Sequence, residues 1–115
     1  MNSVMCFLDG VQIRLVGSSS LCSGRVEVYH NNRWGTICDD GWDLNGAEVV
    51  CRELSCGTAQ YVPRGAHFGR GNGPTWLDEV RCSGRESSLT QCPHNGFAER
   101  NCSVAAGVIC TGKSS

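Results

Sequence analysis

No stretch of this 115-residue chain is apolar for long enough to cross a bilayer. The longest, Val104-Ala105-Ala106-Gly107-Val108-Ile109-Cys110, falls far short of the ~20 residues a membrane helix needs. Residues 1–10 lack the basic start and apolar run of a secretory leader, so they read as an N-terminal extension, and a secreted protein implies that the chain is a piece of a longer one. Ten basic residues against eleven acidic ones leave a formal charge of −1. General nucleic-acid binding wants a domain pI above about 9, so nucleic acid is not expected as the main partner. No C-x2-C pair occurs, and His30, His67 and His94 lie outside zinc-finger spacing, which argues against structural zinc. There is no Gly-x-Ser-x-Gly elbow and no His-Glu-x-x-His, and Gly69-Arg70-Gly71-Asn72-Gly73 runs into Pro74 and not into the helix of a phosphate loop. An enzyme is therefore not expected.

Large aliphatic residues are scarce too. Leu, Ile, Val and Phe make 24 of 115, close to the level at which a chain struggles to bury enough apolar surface. What the chain has instead is nine cysteines and fifteen glycines. That is the composition of one loop-rich domain held by disulfides, each contributing about 2–4 kcal/mol, in an extracellular or otherwise oxidising compartment. The basic residues are nine Arg to one Lys, a bias suited to planar recognition of carboxylate, sulfate and phosphate.

Alternation of apolar and polar residues predicts strands over 11–16, 24–30 and 33–38, with Asn31-Asn32 as the turn of an antiparallel meander. Ala47, Val50, Cys51 and Leu54 form a helical stripe, which predicts a helix over 45–56 with Asn45 and Glu48 as a capping box and Gly57 as the stop. Residues 57–74 read as loop, 76–82 and 106–110 as strands, and 86–92 as a short second helix. The fold class is α+β.

The cysteines stand at 6, 22, 38, 51, 56, 82, 92, 102 and 110; even eight of them permit 105 pairings, which spacing does not resolve. At this point the chain resembles a family. Gly24-Arg25-Val26-Glu27-Val28, Trp34-Gly35-Thr36-Ile37-Cys38-Asp39-Asp40-Gly41-Trp42-Asp43, Val49-Val50-Cys51-Arg52-Glu53-Leu54, Gly71-Asn72-Gly73-Pro74, the run 77–86 and Ala106-Gly107-Val108-Ile109-Cys110 are similar to the scavenger receptor cysteine-rich (SRCR) domain of the eight-cysteine, group B type. The resemblance spans residues 11–110, leaving 111–115 as a tail. It implies a compact fold in which a curved antiparallel sheet cradles one main helix. It also implies the pairs Cys22–Cys56, Cys38–Cys102, Cys51–Cys110 and Cys82–Cys92. Cys6 is left over, free to form a disulfide-linked dimer. Trp34 and Trp42 are expected in or near the core.

Asp39, Asp40 and Asp43 put three carboxylates on one loop, a partial oxygen shell for Ca²⁺ or, less well, Mg²⁺; the alternative is that Asp43 caps the helix and the others are solvated. The resemblance implies two cation sites. One, on Asp39 and Asp40, is expected to be weak, because its third carboxylate has no counterpart between Cys102 and Cys110. The other combines Asp40, Asp78 and Asn101. Asn101-Cys102-Ser103 is also a glycosylation sequon, and a glycan on Asn101 would exclude it as a ligand. Among the arginines, Arg25, Arg33, Arg64 and Arg70 are candidate contacts for anionic ligands, Arg64 and Arg70 flanking His67 and Phe68. The alternatives are local ion pairs and, for 24–34, a buried hairpin. The expected function is an extracellular module recognising sulfated, phosphorylated or carboxylated polymers on microbial or host surfaces with help from a cation. The alternative is a cation-independent interface with another extracellular protein, either in a receptor or as a non-catalytic part of an enzyme.

Overall fold

The structure is a computed structural model describing residues 12–112. Val11 and Cys6, with the rest of 1–11, and the last three residues lie outside the described part. Strands β1 (Ile13–Val16), β2 (Ser23–His30) and β3 (Arg33–Ile37) form the meander predicted from the alternation. Asn31 and Asn32 turn it, both at positive φ (54° and 67°), a conformation their short polar side chains tolerate. Helix α1 (Leu44–Glu53) follows, then β4 (Ala59–Tyr61), β5 (Thr75–Leu77), one 3-10 turn (Leu89–Gln91) and β6 (Gly107–Cys110). The strand order is β4-β6-β2-β3-β5, with β1 also on β2. Since β5 runs parallel to β3, the sheet is mixed and not purely antiparallel.

Several boundaries differ from expectation for local reasons. Asp43, not Asn45, caps α1, its Oδ1 accepting from the N–H groups of Asn45 and Gly46. Glu48 is thereby free of a capping box and accepts from Ala59 N–H at 3.0 Å, tying the helix to β4. The helix stops at Glu53, and Ser55 takes the left-handed conformation ahead of Gly57. The strand expected over 76–82 ends at Leu77, because Glu79 sits at φ 53°. The segment 86–92 makes only the 3-10 turn. Strand β4 was unforeseen: in so short a run only the partner β6 makes it a strand.

The core lies between the sheet and α1. Val26, Val28, Ile37, Val49, Val50, Leu77 and Val108 are fully buried, and Trp42 closes it with Nε1 donating to the Gly107 carbonyl at 3.1 Å. Trp34 is only half-buried, beneath the Arg14 guanidinium 4.1 Å from its ring centre. The four bridges are Cys22–Cys56, Cys38–Cys102, Cys51–Cys110 and Cys82–Cys92. These are the pairs that the resemblance implies.

Candidate ligand-binding surface

Three chain segments meet at the end of β3. The Cys38 N–H donates to the Leu77 carbonyl at 2.8 Å and the Asp39 N–H to the Val104 carbonyl at 3.0 Å, while Cys38 pairs with Ala105 across an isolated bridge. The Cys38–Cys102 disulfide fixes the same junction covalently. In consequence Asp39, Asp40, Asp78 and Asn101, far apart in sequence, line one cavity of about 290 Å³ together with Ser103 and Val104. Asp40 and Asn101 are exposed; Asp39 and Asp78 are half-buried. Asp43 has been drawn away to cap α1.

The donor set is three carboxylates and one amide on loops, which suits a hard cation such as Ca²⁺. Cys38, though beside Asp39 and Asp40, is in a disulfide and offers no thiolate. Ser103 and Val104 complete the lining, Val104 beside Asp39, and no acid lies between Cys102 and Cys110.

Two residues bear on this cavity that the sequence analysis missed. Asp78 Oδ1 pairs with Arg100 Nε and accepts from Asn95 Nδ2, each at 3.2 Å. Arg100 is locked by carbonyls as well, Nη1 donating to Trp76 at 2.6 Å and Ala98 at 3.2 Å and Nη2 to Asn95 at 3.1 Å. Its one sequence signal is adjacency to Asn101; Asn95 had none.

Of the four candidate arginines, Arg25, Arg33 and Arg70 line cavities that adjoin at Gly73, and Arg64 does not join them. Arg70 lies beside the acidic cavity: it lines a trough of about 510 Å³ that shares Asn101, Cys102 and Ser103 with it. Arg25 is committed internally, Nε to Glu27 Oε2 and Nη1 to the Phe68 carbonyl, both at 2.8 Å. Glu27 is 3% exposed and holds Arg14 as well. Gly71, at φ 76°, passes so close that a Cβ there would lie 2.9 Å from Arg25 Nε, which explains a glycine at that position. Arg33, exposed, borders a small cavity of about 240 Å³ beside Arg14, Arg25 and Trp34. Arg64 lies elsewhere, in a groove of about 420 Å³ with Asp43, Leu44 and Tyr61.

With that geometry in view, residues 16–111 match the scavenger receptor cysteine-rich domain family. The chain belongs to this family. Its four bridges fit the group B type. Over 101 residues it is 50% identical to macrophage scavenger receptor types I and II of Mus musculus, covering 86% of this chain but 22% of that protein. Thus the chain spans about a fifth of the length of this curated relative. Among solved structures, the third SRCR domain of murine neurotrypsin is 46% identical with a TM-score of 0.79, covering 89% of this chain and 97% of that one. The dimeric form of the SRCR domain of mouse MARCO is 44% identical with a TM-score of 0.68, covering 84% and 92%. SRCR domains are extracellular, and four disulfides agree with an oxidising compartment. Among the described residues no helix is long and apolar enough to cross a membrane.

Proposed function

We propose that this SRCR domain is a non-catalytic extracellular binding module in which a divalent cation, Ca²⁺ before Mg²⁺, helps to hold anionic groups of sulfated, phosphorylated or carboxylated polymers on microbial or host surfaces. The observation that carries this reading is the convergence of Asp39, Asp40, Asp78 and Asn101 on one cavity whose wall continues into a trough bearing Arg70. Asp40, Asp78 and Asn101 would hold the cation, with Asp39 beside them. A cation so held keeps positions open for a ligand oxygen, and Arg70 adds charge-assisted hydrogen bonds to the same ligand. Arg33 supplies further positive charge in a neighbouring cavity that shares Gly73 with that trough.

The test is calcium titration by calorimetry, paired with binding to a sulfated polysaccharide with and without chelator. Asp78→Asn should weaken calcium affinity and polysaccharide binding together, and Arg70→Ala should weaken polysaccharide binding alone. Unchanged calcium titration in the Asp78→Asn protein, or full glycan occupancy of Asn101 by mass spectrometry, overturns the cation reading.

The ion pair between Asp78 and Arg100 favours a second reading, in which that carboxylate is already compensated and the surface contacts another extracellular protein without a cation. Chelation would then leave binding intact.

A further inference from the structure

Three Asn-Gly steps occur in the chain, at 45–46, 72–73 and 95–96. In such a step the glycine offers no side chain to hinder attack of its own nitrogen on the asparagine carboxamide. The fold treats the three differently. Asn45 and Gly46 lie in the first turn of α1, where the Gly46 N–H faces Asp43 Oδ1 and the helical backbone keeps the nitrogen off the side chain. Gly73 is pressed against the Trp34 carbonyl, 2.1 Å from where its Cβ would be. Asn95 is exposed in a loop without regular structure, and Gly96, at φ 88°, has open space around it.

At that third step the surroundings carry chemistry. The Gly96 N–H donates to His94 Nδ1 at 2.8 Å, so an accepting ring nitrogen already faces the hydrogen that must leave. Arg100 Nη2 donates at 3.1 Å to the Asn95 carbonyl, which belongs to the same peptide unit as the Gly96 nitrogen. A guanidinium there stabilises the negative charge that spreads onto this oxygen as the proton departs. The carboxamide under attack is held by its Nδ2 hydrogen bond to Asp78 Oδ1 at 3.2 Å.

We infer that Asn95 is a site of spontaneous deamidation, with His94 as catalytic base and Arg100 stabilising the amidate. The Gly96 nitrogen gives its proton to His94 Nδ1 and bonds to Asn95 Cγ. The Cγ–Nδ2 bond then breaks, the imidazolium returning the proton so that ammonia leaves and a succinimide remains. Water opens the ring at either carbonyl, giving aspartate or isoaspartate. The balance is one water in and one ammonia out, with no oxidant or further reactant.

The modification replaces an amide that donates to Asp78 by a carboxylate that cannot. This second consequence rests on the cation reading above: one added negative charge beside Asp78 should raise calcium affinity on the order of a few-fold.

The experiment ages the native, disulfide-intact protein at neutral pH and follows aspartate and isoaspartate at each Asn-Gly step by peptide mapping and mass spectrometry. The reduced, alkylated chain serves as the unfolded reference. Conversion at Asn95 should exceed that at Asn72 by about tenfold or more in the folded protein, with the preference gone in the unfolded one. His94→Gln, which retains an acceptor but no base, should slow Asn95 about 10²-fold and leave Asn72 unchanged as the control within the same molecule. Equal folded rates at Asn95 and Asn72, or a His94→Gln rate equal to the parent's, overturn the inference. Asn95→Asp, titrated with calcium, tests the coupling separately: an unchanged affinity removes the link to the cation cavity and leaves the deamidation result standing.

Discussion

At Trp42 one side chain serves the core, the helix and the last strand together. Its ring is 2% exposed, its Nε1–H satisfies the Gly107 carbonyl, and α1 crosses it at Gly46, where an added Cβ would lie 2.7 Å from ring atom Cζ3. In an exposed helix, alanine in place of glycine is worth roughly 1 kcal/mol of stability. Here the sign reverses: Gly46→Ala should lower the denaturation midpoint, since overpacking of a core costs about 1–3 kcal/mol. Trp42→Phe should cost about 2 kcal/mol through the lost hydrogen bond and missing ring volume. In that background Gly46→Ala should become less harmful, which a double-mutant cycle by urea unfolding measures.

Two glutamates, one ending α1 and one in the loop before the 3-10 turn, contribute to the pH dependence of stability with opposite signs. Glu53, on the last turn of α1, accepts from the Leu89 N–H at 2.9 Å and so joins the helix to the 3-10 turn. Burial raises its carboxyl above the ordinary glutamate value, outweighing the lowering by that hydrogen bond. The folded protein therefore keeps this proton at a pH where the unfolded chain has lost it, and stability falls as pH climbs through the raised value. Glu53→Gln preserves an acceptor for Leu89 without the ionisation, so it should gain stability relative to the parent between mildly acid and neutral pH. Glu86 behaves in the reverse way. The Ser83 N–H, and with it the Gly84 N–H, lowers its carboxyl, so its contribution is present above the ordinary glutamate value and lost as pH falls through the lowered one. Glu86→Gln should destabilise at neutral pH and be silent in strong acid. Chemical denaturation of both variants across this range checks both signs.

For the whole molecule, disulfides supply what a thin core does not, and they are not equivalent. Cys51–Cys110 joins the buried face of α1 to β6 across 59 residues, with Cys51 fully buried. Cys22–Cys56 spans 34 residues, with Cys22 only half-buried. Removing a native bridge from a small domain costs about 2–5 kcal/mol. The Cys51→Ala/Cys110→Ala protein should fall at the upper end and the Cys22→Ala/Cys56→Ala protein at the lower, because the first also opens a cavity in the core. Comparison of their guanidinium midpoints decides this. With those eight cysteines paired among themselves, non-reducing peptide mapping should find Cys6 bridged to none of them, and a covalent dimer, where one forms, should run through Cys6.

The meander, the buried stripe of α1 and the resort to disulfides were legible in the residues because each rests on local facts: alternation, helical spacing, and too few aliphatic side chains for the length. Asp43 shows the limit of that locality, since by itself the sequence favours it as a cap but leaves it open as a ligand until the N–H groups of Asn45 and Gly46 turn toward it. The motifs that carry the family resemblance also pointed to Asp78 and Asn101, which no spacing rule connects to Asp40. Only the tertiary structure brought β4 into existence, ran β5 parallel to β3, set Arg70 beside the acidic cavity and committed Arg25 to Glu27. It alone placed Arg100 and Asn95 on Asp78. Those arrangements depend on which distant segments share a wall, and that is decided by the burial of the core and by the Cys38–Cys102 bridge, neither of which a stretch of sequence contains by itself.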